Sequence, residues 1–207
     1  MIRLCQLESS VPEPPRKTRR DHNSDATRQE IIRAATRLFG QHGYAATPLS
    51  AIVEAATVTT GAVYHHFGDK QGLFREVAEA VEAEILQRIA AAGAGRETLW
   101  DVFVTGTLAM LEICAEPHIQ QIAFIDAPNV LGAAQWRETE KRYAFGLLHQ
   151  VLDGLKQSGA IRIGSTEVVA SILLGAAIEA ATAVARDPAA IEDARATMFR
   201  LLDSLRS

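Results

Sequence analysis

The chain of 207 residues holds only two cysteines, Cys5 and Cys114. That is too few for a disulfide framework and fits a reducing cytoplasm, the expected location. No run of about 18 uninterrupted apolar residues occurs, so neither a membrane span nor a membrane partner is expected. The opening MIRLCQLESS lacks the long apolar stretch of a secretory signal. Alternating runs bounded by hairpin turns are missing, which argues against strands, and no long-period repeat is present. The chain has no HExxH, CxxC, nucleophile elbow or glycine-rich phosphate loop, so no enzyme activity, metal or cofactor is expected. His65 and His66 are adjacent and diverge on a helix, so they do not chelate one ion together. Cys114 reads as a small core residue.

What is present is core-forming. Apolar residues make up 48% and charged residues 22%, the balance of a folded chain. The net charge of -4 is unevenly spread. Up to Arg75 there are 10 Lys and Arg against 7 Asp and Glu, a balance of +3; beyond it the counts are 11 and 18, a balance of -7. Phosphate therefore favours the first third, and the mild excess permits a nucleic-acid partner.

Helical patterning begins at Asp25, expected as a cap after a flexible basic arm, residues 1–24, that holds Pro12, Pro14, Pro15, Arg16, Lys17, Arg19 and Arg20. Ile31, Ala34, Ala35, Leu38 and Phe39 form one apolar stripe, and Gly43 ends it, expected at positive φ. Thr47 is expected to cap a short second helix with Pro48 at its first position. Thr59 caps a third helix, TGAVYHHF, and Asp69 caps a fourth, long one. Further helices are expected at about 97–114, from Pro117, over 130–157, from Ser165 or Thr166 to about Arg186, and from Asp187 to near Leu205. Asp126, Ala127, Pro128 and Asn129 read as a break.

The informative stretch is TPLSAIVEAATVTTGAVYHHFGDKQGLF, residues 47–74. On a two-turn helix, Val63 and Phe67 can face a core while Thr60, Tyr64 and His65 lie elsewhere on the surface. The small residues Thr59, Thr60, Gly61 and Ala62 leave the N-terminal end free to approach a groove. This stretch resembles the DNA-binding head of the TetR family of bacterial repressors, whose recognition helix reads roughly S-x-G-x-x-Y-x-H-F followed by a Lys. Here those positions are Thr59, Gly61, Tyr64, His66, Phe67 and Lys70. The resemblance covers about 25–77. It implies that the Tyr64 hydroxyl and Lys70 meet phosphates, that His65 touches DNA, and that His66 packs. Thr47 would bond a phosphate in the same way, and Arg28 is a weaker candidate. Two positions depart from the family: Thr60 stands where Lys or Arg is frequent, and Thr57 where Gly is common. The second raises the question of a positive φ at a β-branched residue.

The fold expected is all-α and TetR-like, about nine helices. A three-helix helix-turn-helix DNA-binding domain, 25–75, precedes a ligand-binding and dimerisation domain, 76–207. The helices near 166–186 and 187–205 are expected to pair as a homodimer through Ile172, Leu173, Ala176, Ala180, Val184, Met198, Leu201 and Leu202, which implies a palindromic operator on double-stranded DNA. A mostly apolar pocket for a small-molecule effector of unknown identity is expected among Trp100, Phe103, Met110, His118, Phe124, Asp126, Trp136, Tyr143, His149 and Glu179. The expected function is ligand-responsive transcriptional regulation, most simply repression. The alternatives are a DNA-binding regulator without a small effector and an activator of the same fold.

Overall fold

The computed structural model describes residues 19–207, all-helical but for short links. Nine helical runs follow one another: α1 Arg19–Ala46, α2 Leu49–Ala55, α3 Thr60–Phe67, α4 Lys70–Gly93, α5 Leu99–Cys114 and α6 Pro117–Leu131 come first. Next is α7, residues 133–157, built of Ala133–Glu140, a π-helical stretch Lys141–Phe145 and Gly146–Gln157. Last come α8 Thr166–Arg186 and, after a 3-10 turn at Pro188–Ala190, α9 Ile191–Asp203. Among the described residues the only extended pairing is one isolated bridge, Ile161 with Arg206.

Several helix starts follow from side-chain caps. The Thr59 hydroxyl accepts from the Ala62 N–H, Asp69 from Gly72, Thr98 from Asp101, Ser165 from Val168 and Asp187 from Ala189. Three local expectations need correction. Asp25 is no cap: α1 already runs from Arg19, because nothing between Pro15 and Gly40 breaks a helix. Residues 19–24 are therefore helical rather than part of an arm, and 1–18 lie outside the described residues. Thr47 does not cap α2, whose N-cap is Pro48 without a side-chain bond. The break expected at 126–129 is instead helix. Gln120–Asp126 widens into a π-turn, Pro128 enters at the start of the next α-turn, and the chain stops only at Gly132, φ +91°. A proline at a first turn lacks a donor that has no partner there in any case.

The first core gathers Ile31, Phe39, Ile52, Val63, Leu73 and Phe74, all fully buried. At about 2 kcal/mol for each large side chain, this burial holds helices too short to persist alone. Phe39 meets Phe74 edge-on at 5.2 Å, and Tyr44 packs on both at 5.7 and 5.0 Å. Gly43, at φ +77° and ψ 164°, turns the chain out of α1 toward this trio. Gly72 lets α4 start directly beneath α3: a Cβ there would stand 2.1 Å from the Phe67 carbonyl oxygen. α4 then continues out of the first core into the second and packs on α1, α3, α5, α6 and α7. The boundary expected at 75/76 thus falls inside one unbroken helix. In the second core α5 is central, against α4, α7, α8 and α9.

Candidate functional site

α3 divides as its spacing predicts. Val63 and Phe67 are buried, while Thr59, Thr60, Gly61, Tyr64 and His65 are exposed and Ala62 is half-buried. Tyr64 is 54% exposed, unusual for an aromatic in a compact head. His66 is half-buried, its ring between those of His65 and Phe67. The turn before α3 takes φ +55° at Thr57, the only positive φ at a non-glycine among the described residues. The turn geometry the family gives to glycine is kept here at a conformational cost.

Three cations or hydroxyls assigned to phosphate lie elsewhere. Thr47 is 1% exposed, and its hydroxyl donates to the Gly43 carbonyl at 2.8 Å, which is a correction. A helix-spanning backbone bond was closer to hand than solvent. Arg28 is paired with Glu76 of α4 at 2.5 Å and lies over the Phe67 ring. Its side chain fastens α1 to α4 rather than standing free, a second correction. Lys70 turns inward, its ammonium donating to the Tyr44 carbonyl at 2.6 Å and resting over the Tyr44 ring at 4.2 Å. Burial lowers its pKa, and nearby Asp126 pushes it back up. Asp126 of α6 also accepts the Tyr44 N–H at 2.7 Å, and Gln71 donates to the Val130 carbonyl at 2.7 Å. These bonds tie the start of α4 and the end of α1 to α6.

The second core is hollow. A cavity of about 240 Å3 lies between α4, α5, α7 and α8, lined by Leu86, Ile89, Ala90, Gly93, Phe103, Met110, Ala144, Leu148, Leu173 and Ala177 among others. Its sole side-chain hydroxyl, on Thr107, is already used, donating to the Phe103 carbonyl at 2.8 Å. Of the ten residues expected at a pocket, only Phe103 and Met110 line it. Trp100 stacks under Arg206 at 4.8 Å, His118 stands beside Glu116, Phe124 packs half-buried, and Asp126 serves Tyr44. Trp136 is buried outside the cavity, Tyr143 is half-buried, His149 pairs with Asp153 at 3.3 Å and Glu179 is exposed. Polar and aromatic side chains occupy space, whereas the cavity exists where small and aliphatic ones leave it unfilled.

One turn along α4, α5 and α7 from Leu86, Met110 and Ala144 lies a polar layer that sequence reading missed. It contains Glu82, 4% exposed, with Cys114, Glu140, Gln120 and Trp136. Burial first, and Glu140 second, push the Glu82 carboxyl up to about 7. Burial raises Glu140 too, against the pull of Arg137 and Trp136. Burial pushes the Cys114 thiol up to about 12. Gln120 donates to the Cys114 carbonyl at 2.6 Å. The Trp136 indole N–H lies near Glu140 without completing a hydrogen bond, the one buried side-chain polar atom so placed among the described residues.

The last two helices present an unpartnered apolar face. Val168 and Ile172 of α8 are 56% and 63% exposed, and Phe199 and Leu201 of α9 both 45%. Ala176 and Ala180 are half-buried. Leu173, Val184, Met198 and Leu202 instead face the core of their own chain, a correction to the expected interface. Val168 stands at i, i+4 to Ile172 on α8, and Phe199 of α9 was not foreseen. By length and composition α8 could cross a membrane, with a mean hydropathy of 2.0 over its best window, yet only 28% of that window is buried.

Fold and outward helix together define a helix-turn-helix protein carrying a hollow helical body. Residues 31–77 match the family model for bacterial regulatory proteins of the tetR family, and 100–205 that for the tetracyclin repressor-like C-terminal domain. A TetR-family transcriptional regulator from Pectobacterium atrosepticum is similar over 92% of this chain and 98% of its own, at 32% identity and TM-score 0.76. The chain belongs to the TetR family of transcriptional regulators, which are not enzymes. The regulator AcrR of Shigella flexneri is 47% identical over 70 residues, 34% of this chain and 32% of the relative, so the match spans about a third of that relative's length. FadR of Bacillus subtilis, solved in complex with stearoyl-CoA, shares the fold at 20% identity and TM-score 0.70, covering 86% of this chain and 97% of that one.

Proposed function

We propose that this chain is a ligand-responsive repressor that binds a palindromic operator as a homodimer and is released by a small, mostly apolar effector. The observation that carries the reading is the cavity on α4, because α4 also bears the start of the head. Leu86, Ile89, Ala90 and Gly93 of α4 line that space, and Lys70 and Gln71 at its other end hold Tyr44 and α6. A ligand that wedges α4 from α5 tilts the helix and shifts α3 with it. It must bind the DNA-free state more tightly, since equal affinity shifts nothing. The apolar space between the helices favours this reading over a regulator without an effector.

In the head, the exposed N-terminal half of α3 enters the major groove, with Thr60 toward base edges and the Tyr64 hydroxyl toward a phosphate. In the body, Val168, Ile172, Phe199 and Leu201 pack on the same residues of a second copy and form a four-helix interface. That contact explains an apolar helix so little buried in one chain. The two α3 helices then meet half-sites about 34–36 Å apart or a multiple of it. Selection of bound fragments from genomic DNA tests the reading: inverted repeats at that spacing are expected, and unenriched or asymmetric sites would overturn it. Ile172→Asp with Phe199→Asp should yield a monomer in sedimentation; an unchanged mass would exclude this face.

A further inference from the structure

The cavity between α4, α5, α7 and α8 has a closed floor and an open mouth. Phe103, Met110, Leu173 and Ala177 line it and are buried. Ala90, Ala94 and Leu147 also line it and are exposed, so water reaches the space past the end of α4 and along α7. The wall between α4 and α5 is tight. A Cβ at Gly93 would stand 3.1 Å from a Val102 methyl, and one at Gly106 would stand 3.3 Å from an Ile89 methyl. An occupant therefore enters at the mouth and is stopped at the floor.

Nothing in this space holds a charge. Among the described residues, no acidic, basic, amide or imidazole side chain lines it. The one hydroxyl, of Thr107, donates its proton to the Phe103 carbonyl at 2.8 Å. The lining residues other than Ala94 sit within helices, whose backbone donors and acceptors are largely taken by helix bonds. A charge brought into such a space loses its hydration and gains no partner. Apolar surface gains there instead: each buried CH2 tightens binding about fourfold. A dry apolar cavity of about 150 Å3 takes benzene, and by the same ratio the 240 Å3 here holds about ten non-hydrogen atoms.

We infer that the cavity takes an uncharged, hydrocarbon-bodied effector of about ten non-hydrogen atoms, which enters hydrocarbon end first. Carboxylates, amines and phosphorylated molecules of that size are rejected. A single neutral group such as a hydroxyl is tolerated at the mouth, where water meets it. The inference rests on the cavity being the effector site and deepens that reading.

Calorimetric titration of the full chain near neutral pH with octan-1-ol, octanoate and octylamine compares three heads on one chain length. Octanol should bind at least tenfold more tightly than either ion. Across butan-1-ol, hexan-1-ol and octan-1-ol, affinity should rise about fourfold per methylene, and from decan-1-ol to dodecan-1-ol the gain should fall below about twofold per methylene. Ala144→Phe on α7 and Ala177→Phe on α8 each fill part of the cavity and should weaken octanol at least tenfold. The head-group and chain-length comparisons use the unaltered chain and stand whether or not a filled variant folds. A margin below tenfold over either ion, or a gain per methylene undiminished to dodecanol, overturns the uncharged ten-atom class while the cavity reading stands. If no compound binds, or if octanol binds the filled variants unchanged, the cavity reading falls and the class with it.

Discussion

In the head, Thr57 holds a φ of +55° in an exposed turn; in the body, Glu82 lies 4% exposed facing Glu140. Both are unfavourable, but they differ in kind. The strain at Thr57 is set by four or five consecutive residues and does not depend on what the protein binds. The buried carboxyl is set by helices brought together from distant parts of the chain, and a proton relieves it. Between them lies a junction where polar groups are satisfied: the Tyr44 N–H on Asp126, its carbonyl on Lys70. The junction's polar groups are paired, while the body keeps a buried carboxyl whose charge burial disfavours.

The sharpest way to break this contrast is pH. The folded Glu82 carboxyl titrates at about 7 against an ordinary 4.5, so the folded state holds a proton that the unfolded state has lost. Stability should therefore be full below the ordinary value and fall as pH rises through about 7, by about 3 kcal/mol in all. Urea unfolding at pH 5 and pH 8 measures the drop, and Glu82→Gln should flatten it. An equal drop in that variant would place the titrating group elsewhere. Next in size is the satisfied junction. Asp126→Ala strips the Tyr44 N–H of its acceptor and should lower stability by about 1.5 kcal/mol, with weaker operator binding in a gel-shift titration. Operator affinity unchanged at equal folded fraction would mean that α6 does not position the head.

Smaller effects sharpen the head side. Thr57→Gly relieves the left-handed backbone and should raise stability by about 1 kcal/mol, with no change in the pH profile. A melting temperature that fails to rise would show that the threonine conformation is compensated. Tyr64→Phe should leave stability within about 0.5 kcal/mol, the side chain being exposed, yet weaken operator binding about fivefold by loss of a phosphate contact. Equal affinity would remove the hydroxyl from the interface.

How much could be read in advance follows the same division. The caps at Thr59, Asp69, Ser165 and Asp187, the positive φ at Gly43 and the inward Val63 and Phe67 were all legible, because each depends on neighbours within a turn or two. Thr47 and Arg28 were misplaced by the same local reasoning. Glu76, the partner of Arg28, is known only once α1 is laid against α4, whereas Thr47 bonds back four residues to the Gly43 carbonyl, a local choice that competed with the cap. For the pocket, aromatic and polar residues drew attention, and only Phe103 and Met110 of those named line the cavity. The useful signal was the opposite one: Ala90, Ala144 and Ala177, small side chains on three helices that together leave room. Leu173 and Val184 of α8 turned inward because a helix apolar over more than one face does not declare which face meets its own core, and Met198 and Leu202 of α9 face that same core.

Periodicity, capping residues and turn glycines determine by themselves an all-helical chain with a short, exposed third helix, since those signals act through backbone bonds a few residues long. Tertiary packing alone decided where space remains open between helices and which carboxyls are buried near each other. Both depend on the distances between helices far apart in the chain, and no local pattern encodes those distances.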